Sequence, residues 1–519
     1  MIEVKDTGIK SYHPDMDGDP LYVTKGNCHY SHEGTKDFLD YITAYQPENG
    51  GVTFLVNTFR GAKAQVRIRF VSPTAFRFQM FPHLVQPKLN EVFGFAPVSG
   101  VQVTEESLFI VVKTERVTLR LRKCPWEMTV ELDGELLTME QIKDHNVDQK
   151  YKAVPVGFTV GDDGRILNAF ETMYMYCDEA FYGFGEKFTS FNKRGQKITV
   201  WQQDAQSTNS DVSYKGMPYF MSSEGYSVLM NTYTRTHFNM GASSGVSYTM
   251  ETEDPYLDYY MFCNRDYKGI IRDYTALSGR SAMIPRWAFG FWMSRMSYMS
   301  RQEVEEIVDQ MAKFGMSVDV IHIDGWLDSM QPDGGKELLC FDEKRFPDPE
   351  GMIQSLREKG IHLSLWMFPY VHAVDREGRF SNQFKIMNER GYLVKNQKGE
   401  PYLFSPGEGD AGNWKVAALD FTNPEFVAYM KERVKRLMRM GVGVIKTDFS
   451  EEIPEDAVMY DGSTGLESHN KYTLLYAKTI YEASREAKEE MGQKALLWGR
   501  SGYAGSQNYP ANWAGDSSA

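Results

Sequence analysis

The hydrophobic pattern of this 519-residue chain changes its period once, and that change most constrains the fold. Over about 50–264 apolar and polar residues alternate, as they do at 66–70. Such alternation is typical of half-buried strands, and pairs such as Asp133-Gly134 supply turns between them. After about Pro285 short apolar segments alternate with amphipathic helices. The sequence therefore predicts an antiparallel β-sandwich followed by repeated β-α units.

The second half contains six segments that we interpret as strands. They are 289–293, 318–324, 362–368, 442–449, 495–498 and 511–515. Ser300 and Glu303 form a capping box before the first intervening helix, and Gly315 ends that helix. Strands that are joined by helices in this way form a parallel sheet, which is either doubly wound or closed into a barrel.

The positions of the carboxylates favour the closed barrel over the doubly wound sheet. Asp324, Asp448 and Asp516 each follow a strand segment, and catalytic groups at many strand ends are typical of a TIM barrel. A doubly wound sheet usually carries a glycine-rich turn after its first strand, and this sequence has none there. We predict an α/β fold, with a β-sandwich domain over 1–264 and a (β/α)8 TIM barrel over 265–519. Six strands fall short of eight, so we expect the barrel to be incomplete at its C-terminal part.

The composition limits the classes of partner that we expect the protein to bind. The formal net charge is −13, which disfavours nucleic acid, and no segment reaches the roughly 20 apolar residues that span a bilayer. The first residues do not resemble a signal peptide, and the five scattered cysteines fit neither a disulfide framework nor a zinc site. We expect a cytoplasmic protein without nucleic-acid or membrane partners. The sequence leaves open whether it forms a homo-oligomer.

Two aspartates are the candidate catalytic residues. Lys446 has the same strand-face parity as Asp448, so its cation can keep that carboxylate ionised, as a nucleophile requires. The alternative is that Asp448 caps the next helix. Asp516 stands near Trp513, and apolar surroundings suit a general acid, which must hold its proton at neutral pH. The alternative for Asp516 is a surface turn.

Several longer motifs occur in a fixed order. They are Tyr182-Gly-Phe-Gly-Glu186, Phe291-Trp-Met, His322-Ile-Asp324, Phe346-Pro-Asp-Pro-Glu-Gly-Met352, Leu365-Trp-Met-Phe-Pro369-Tyr, Asp420-Phe-Thr-Asn-Pro424, Lys446-Thr-Asp448-Phe-Ser-Glu451, Arg500-Ser and Trp513-Ala-Gly-Asp516. The series resembles glycoside hydrolase family 31, and most closely its α-xylosidase-like branch, over about 180–519.

The resemblance implies an N-terminal β-sandwich, a (β/α)8 barrel and C-terminal β-domains, without metal or cofactor. It implies that Asp448 is the nucleophile, Asp516 the general acid/base and Glu451 a supporting acid. The positions that match pocket residues of the family are Asp204, Asp324, Trp366, Lys446, Arg500 and Trp513. Structural alternatives remain for four of these: core aromatics for Trp366 and Trp513, a helix cap for Asp324 and an interdomain ion pair for Arg500. His322 is expected to pack in or beside the barrel wall.

The resemblance further implies a retaining, exo-acting hydrolase that removes a terminal α-linked sugar from a small oligosaccharide or glycoside. An α-xylosidase is the first expectation. Gly325 and Trp326 depart from the Asp-Cys-Phe pattern of bacterial α-xylosidases, and Ala514 replaces a more usual Gly, Ser or Thr. An α-glucosidase, an α-galactosidase, a transglycosylase and an inactive carbohydrate-binding relative therefore remain alternatives.

Overall fold

The computed structural model describes residues 5–6, 34–140, 156–205, 208, 211–295, 297–330, 335–374, 378–406 and 415–516. The chain forms two compact units, which are residues 1–201 with 217–278 and residues 202–216 with 279–519. The domain boundary predicted after residue 264 stays a prediction. No helix among the described residues has the length and apolar character that a bilayer crossing requires.

Over its described residues, the first unit consists of antiparallel sheets and one helix, α1 (Tyr267–Ser278). Its strands are β1 (Lys5–Asp6), β2 (Thr35–Glu48), β3 (Gly51–Thr58), β4 (Lys63–Ser72), β5 (Ala75–Pro82), β6 (Gln102–Glu105), β7 (Phe109–Lys113), β8 (Val117–Lys123), β9 (Trp126–Leu132), β10 (Glu135–Met139), β11 (Gly157–Val160), β12 (Ile166–Tyr174), β13 (Phe181–Gly185), β14 (Lys197–Val200), β15 (Gly216–Ser222), β16 (Tyr226–Met230), β17 (Thr236–Asn239), β18 (Ser247–Thr252) and β19 (Leu257–Cys263). A long sheet has the order β13-β15-β16-β19-β5-β4-β3-β2-β11-β12-β18-β17-β14, and β10-β9-β8-β7-β6 form a second sheet.

The period-two pattern produces these strands as predicted. In β4 and β8 every second side chain is buried. Asp133 and Gly134 join β9 to β10 with φ values of 54° and 86°, the left-handed conformations that a tight hairpin turn requires. The Tyr226 hydroxyl of β16 donates to the Tyr248 hydroxyl of β18 at 3.0 Å, so the two halves of the long sheet face one another. The predicted antiparallel β-sandwich is confirmed.

A buried carboxyl group makes the stability of this unit depend on pH. Glu140 is inaccessible to solvent and accepts hydrogen bonds from Trp126 Nε1 (3.2 Å) and Met128 N (3.0 Å). Burial raises the pKa of Glu140 to about 8. Burial also raises the pKa of Glu171, and the charge of Glu140 adds to that rise.

We expect Glu140→Gln to weaken the pH dependence of stability. The native state retains a proton that the unfolded state releases near its ordinary pKa of about 4.3, so stability falls as pH rises from there through about 8. Glutamine carries no titrating proton, so the unfolding midpoint of the Glu140→Gln variant should fall less than that of the wild type between pH 5 and 8. Glu135→Gln, at a side chain that is 78% exposed, is the control and should keep the wild-type slope. Equal slopes in all three proteins would refute the prediction.

The second unit alternates strands and helices. Its strands are β20 (Trp292–Ser294), β21 (Val320–Ile323), β22 (His362–Met367), β23 (Tyr370–His372), β24 (Leu403–Phe404), β25 (Val416–Ala418), β26 (Val444–Thr447) and β27 (Leu497–Gly499). Its helices are α2 (Arg301–Lys313), α3 (Pro349–Glu358), α4 (Asn382–Glu389), α5 (Pro424–Met440) and α6 (Gly465–Glu490).

The strand order is that of a barrel and not of a doubly wound sheet. β20, β21, β22, β26 and β27 are parallel neighbours in the order of the chain. A doubly wound sheet would reverse its order at a switch point, and this one does not over the described strands. A sixth segment continues the series, because Asn512 forms a parallel bridge with Gly499 and Trp513 N donates to Gly499 O at 3.2 Å. The predicted series of six parallel segments is confirmed.

Local signals in the sequence set the helix ends. Ser300 Oγ accepts a hydrogen bond from Glu303 N before α2. The Glu303 carboxylate accepts from Met299 N and not from Ser300 N, so the second bond of the predicted capping box is replaced. Gly315, with a φ of 70°, follows that helix. The Thr464 side chain accepts from Glu467 N before α6, which begins at Gly465. The apolar stripe of α5 is buried and comprises Phe426, Met430, Val434, Leu437 and Met438.

Candidate active site

The candidate site forms at the C-terminal edge of the parallel sheet. Asp324 follows β21, Asp448 follows β26 and Arg500 follows β27. Trp366 of β22 and Lys446 of β26 are partners in register. Because the strands are parallel, their carboxyl ends lie at one edge, and their side chains there can act together.

Asp448 is buried among hydrogen-bond donors and cations. Its side chain is 8% exposed. Trp366 Nε1 donates to Oδ2 at 2.7 Å, and Phe449 N donates to Oδ1 at 3.1 Å. Lys446 Nζ lies 3.7 Å from Oδ2, and Arg500 Nε lies 3.4 Å from Oδ1. These contacts hold the carboxylate between donors and cations. The next helix, α6, is capped by Thr464, so Asp448 is not the helix cap of the alternative interpretation.

Arg500 connects the acidic residues of the site. Its buried guanidinium pairs with both oxygens of Glu451 at 2.9 Å, and contacts Asp516 Oδ2 at 3.0 Å and Asp204 Oδ2 at 3.2 Å, besides Asp448. Burial opposes its charge, but the carboxylates outweigh burial and raise the pKa of Arg500. Burial raises the pKa of Glu451 to about 7 although Arg500 opposes the rise.

The segment 202–216 supplies further support for Arg500. The Tyr214 ring lies 4.7 Å from the guanidinium carbon, and Lys215 Nζ donates to Arg500 O at 2.9 Å and Trp513 O at 2.6 Å. Gly515 has a φ of 84°, and a Cβ there would meet the Tyr214 ring at 2.3 Å. Only glycine therefore fits directly before Asp516. Asp204, Tyr214 and Arg500 all belong to the second unit.

Asp516 differs from its prediction in one respect. Its side chain is 58% exposed and contacts Arg500, so the apolar surroundings that the sequence indicated are not observed. The reason is the placement of Trp513, whose ring lies 4.9 Å from Lys446 Nζ and 5.3 Å from the Trp498 ring. Residues 517–519 lie outside the described residues.

Asp324 is held by a histidine whose role the sequence did not indicate. His322 is buried as predicted, but its Nε2 also lies 2.9 Å from Asp324 Oδ1, and its Nδ1 lies 2.8 Å from Ser364 Oγ. Lys446 Nζ is 3.5 Å from the same carboxylate oxygen. Burial alone would raise the pKa of Asp324, but His322 and Lys446 outweigh it and lower that pKa below its ordinary value.

The nine predicted site residues are thus brought together in one connected set, although their roles stay predictions. Trp366 packs against the hydrophobic core and also donates to Asp448, so core packing alone does not describe it. Trp513 lies against Lys446. His322, Tyr214, Lys215 and Trp498 also contact these residues, and the sequence indicated no role in the site for them. Within the described ranges, no group of His, Cys, Asp and Glu side chains is arranged to hold a metal ion.

Two family models match the chain. The model for the glycosyl hydrolases family 31 TIM-barrel domain matches residues 281–519, and that for the family's N-terminal galactose mutarotase-like domain matches residues 65–239. The chain belongs to glycoside hydrolase family 31. The resemblance inferred from the motifs and the barrel fold are both confirmed.

Relatives of this family 31 chain include the α-xylosidase XylQ of Lactiplantibacillus pentosus, 32% identical over 78% of this chain and 50% of the relative. An α-xylosidase of Emericella nidulans is 33% identical over 65% of this chain and 42% of its own length. The cycloalternan-forming enzyme of Listeria monocytogenes has the same fold, with a TM-score of 0.81 at 23% identity over 93% of this chain and 46% of that one. The chain spans about half the length of the curated relatives it matches.

We expect Arg500→Met to destabilise the family 31 barrel strongly. The change leaves Asp204, Glu451 and Asp448 buried without their shared cation, and an uncompensated buried charge costs about 3–5 kcal/mol. Urea unfolding at neutral pH measures the loss. Arg439→Met is the matched control, because that arginine is 48% exposed and its pair with Glu490 contributes at most about 1 kcal/mol. Similar losses for both variants would contradict the prediction.

Proposed function

We propose that the protein is a retaining, exo-acting α-glycoside hydrolase, with Asp448 as nucleophile and Asp516 as general acid/base. The observation that carries this proposal is the arrangement of the two aspartates around Arg500. Arg500 Nε lies 3.4 Å from Asp448 and Arg500 Nη1 lies 3.0 Å from Asp516, so both carboxylates can act at one site.

The unequal exposure of the two aspartates supports their separate roles. Asp448 is buried, and its hydrogen bond from Trp366 fixes its carboxylate, which suits attack on an anomeric carbon. Asp516 is exposed, so a departing sugar oxygen and, later, water can reach it.

The chemistry is a double displacement. An Asp448 oxygen bonds to the anomeric carbon as the glycosidic bond breaks, and Asp516 gives its proton to the leaving oxygen. Asp516 then takes a proton from water, which attacks the same carbon and releases the sugar and the Asp448 carboxylate. These two reaction steps require no metal or cofactor.

We propose a small α-xyloside as the preferred substrate. The two α-xylosidases described above, 32% and 33% identical, support that choice. Gly325 has a structural reason for departing from the xylosidase pattern. Its N donates to Ser297 Oγ at 2.8 Å, and a Cβ would meet that oxygen at 2.5 Å, so Ser297 occupies the space that a larger side chain needs.

A panel of 4-nitrophenyl α-glycosides of xylose, glucose and galactose tests the proposal in the full-length protein. We expect release of nitrophenol fastest from the xyloside, with the α-anomer of the sugar as first product. Faster glucoside or galactoside cleavage would replace only the sugar assignment. Sugar transfer to an added acceptor in place of hydrolysis would indicate a transglycosylase. Binding without turnover of any substrate would indicate the inactive carbohydrate-binding relative.

We propose further that the protein acts in the cytoplasm. The support for this is the scattered placement of its five cysteines, which does not match a disulfide framework.

A further inference from the structure

The backbone directly after Asp448 adopts an unusual conformation. Phe449 has a φ of 60° and Ser450 a φ of 98°, so two consecutive residues with side chains lie in the left-handed region. Residues other than glycine rarely adopt such angles, and they persist where surrounding contacts hold them. The contacts that hold this turn are therefore part of how Asp448 is positioned.

Ser501 provides those contacts. Its Oγ donates to Phe449 O at 2.9 Å and also contacts Ser450 Oγ. A hydroxyl has one proton, and the Phe449 carbonyl can only accept. The Ser501 proton therefore goes to the carbonyl, and Ser450 donates to Ser501 Oγ. Both serines are buried, so water does not compete for these bonds.

The turn that Ser501 holds carries two groups of the active site. Phe449 N donates to Asp448 Oδ1 at 3.1 Å, and the Phe449 ring lies 4.1 Å from the guanidinium carbon of Arg500. A change in the backbone angles of Phe449 would shift both contacts.

We propose that Ser501 is a positioning residue: it locks the left-handed turn after Asp448 and so holds that carboxylate in the orientation for attack. This inference rests on the proposed function, in which Asp448 is the nucleophile. Ser501 acts through Phe449 and Ser450, its hydrogen-bond partners, and not through contact with the reacting atoms.

The test isolates the step in which Asp448 attacks. The probe is 2-deoxy-2-fluoro-α-xylosyl fluoride, or the analogue of the sugar that the glycoside panel selects. An Asp448 oxygen bonds to the anomeric carbon as fluoride leaves with the bonding electrons, and the ring fluorine slows hydrolysis of the ester. We expect Ser501→Ala to slow labelling about tenfold, the effect of one or two lost hydrogen bonds, at an unchanged half-saturating probe concentration.

A second substitution separates positioning from general loss of structure. Adding Ser450→Gly to Ser501→Ala should recover part of the labelling rate, because glycine adopts the left-handed angle without strain. Ser484→Ala is the control: this buried serine of α6 donates to Ile480 O at 2.8 Å, and its loss should leave labelling unchanged.

Labelling of Ser501→Ala at the wild-type rate would overturn the inference, as would a slower rate that Ser450→Gly does not improve. Failure of the proposed function looks different. In that case the wild-type protein itself would not acquire the sugar on Asp448.

Discussion

Replacing Asp448 by alanine is expected to lower kcat by about 10⁴-fold or more on every substrate. The variant lacks the oxygen that bonds to the anomeric carbon, and no change of leaving group restores it. Initial rates on the glycoside panel measure the loss. Mass spectrometry of protein treated with the 2-fluoro probe should show one added sugar in the wild type and none in the variant.

Asp456→Ala is the matched control for this experiment. Asp456 is an exposed carboxylate of the same unit that accepts a hydrogen bond from Tyr402 Oη at 2.7 Å, and its loss should leave kcat unchanged. A sugar trapped on a residue other than Asp448 would contradict the assignment of the nucleophile.

Replacing Asp516 by alanine should have an effect that depends on the leaving group. A disaccharide needs protonation of its departing oxygen, so we expect its turnover to fall by about 10²–10⁴-fold. Dinitrophenol departs without a proton, so the sugar ester on Asp448 should still form from its glycoside. That ester should then accumulate, because no base activates water.

Added azide distinguishes this role from simple loss of structure. The anion needs no deprotonation and can enter the space that the carboxylate vacates, so turnover of the dinitrophenyl glycoside should partly recover and yield a glycosyl azide. In a substrate complex the two carboxyl groups should stand about 5–5.5 Å apart, as a retaining pair requires. A separation beyond about 6.5 Å, or no effect of azide, would contradict the role of Asp516.

The main elements of the fold were predictable because their signals are local. The alternation in β4, the apolar stripe of α5 and the Ser300 cap are each encoded within a few neighbouring residues. The small antiparallel sheet of β23, β25 and β24 was not predicted. Its strands have two or three residues each, which is too short for any hydrophobic period to show.

The site was predictable where one strand carries two functional side chains. Lys446 and Asp448 share a strand face, and this parity predicted that they act together. The same parity relates His322 to Asp324, but the sequence analysis did not use it to predict their contact. The link between Ser501 and the turn after Asp448 joins segments about 50 residues apart. No periodicity reports such a contact, and only the folded chain reveals it.

The sharing of Arg500 has a consequence for how the protein titrates. One guanidinium faces four carboxylates, and burial raises the pKa of Glu451 among them to about 7. A proton that binds to Glu451 near neutral pH therefore changes the charge around the other three, so a pH–rate profile in this range describes Glu451 as well as the residues that react. A substitution at Glu451, which touches no sugar in the proposed mechanism, should therefore shift that profile near pH 7.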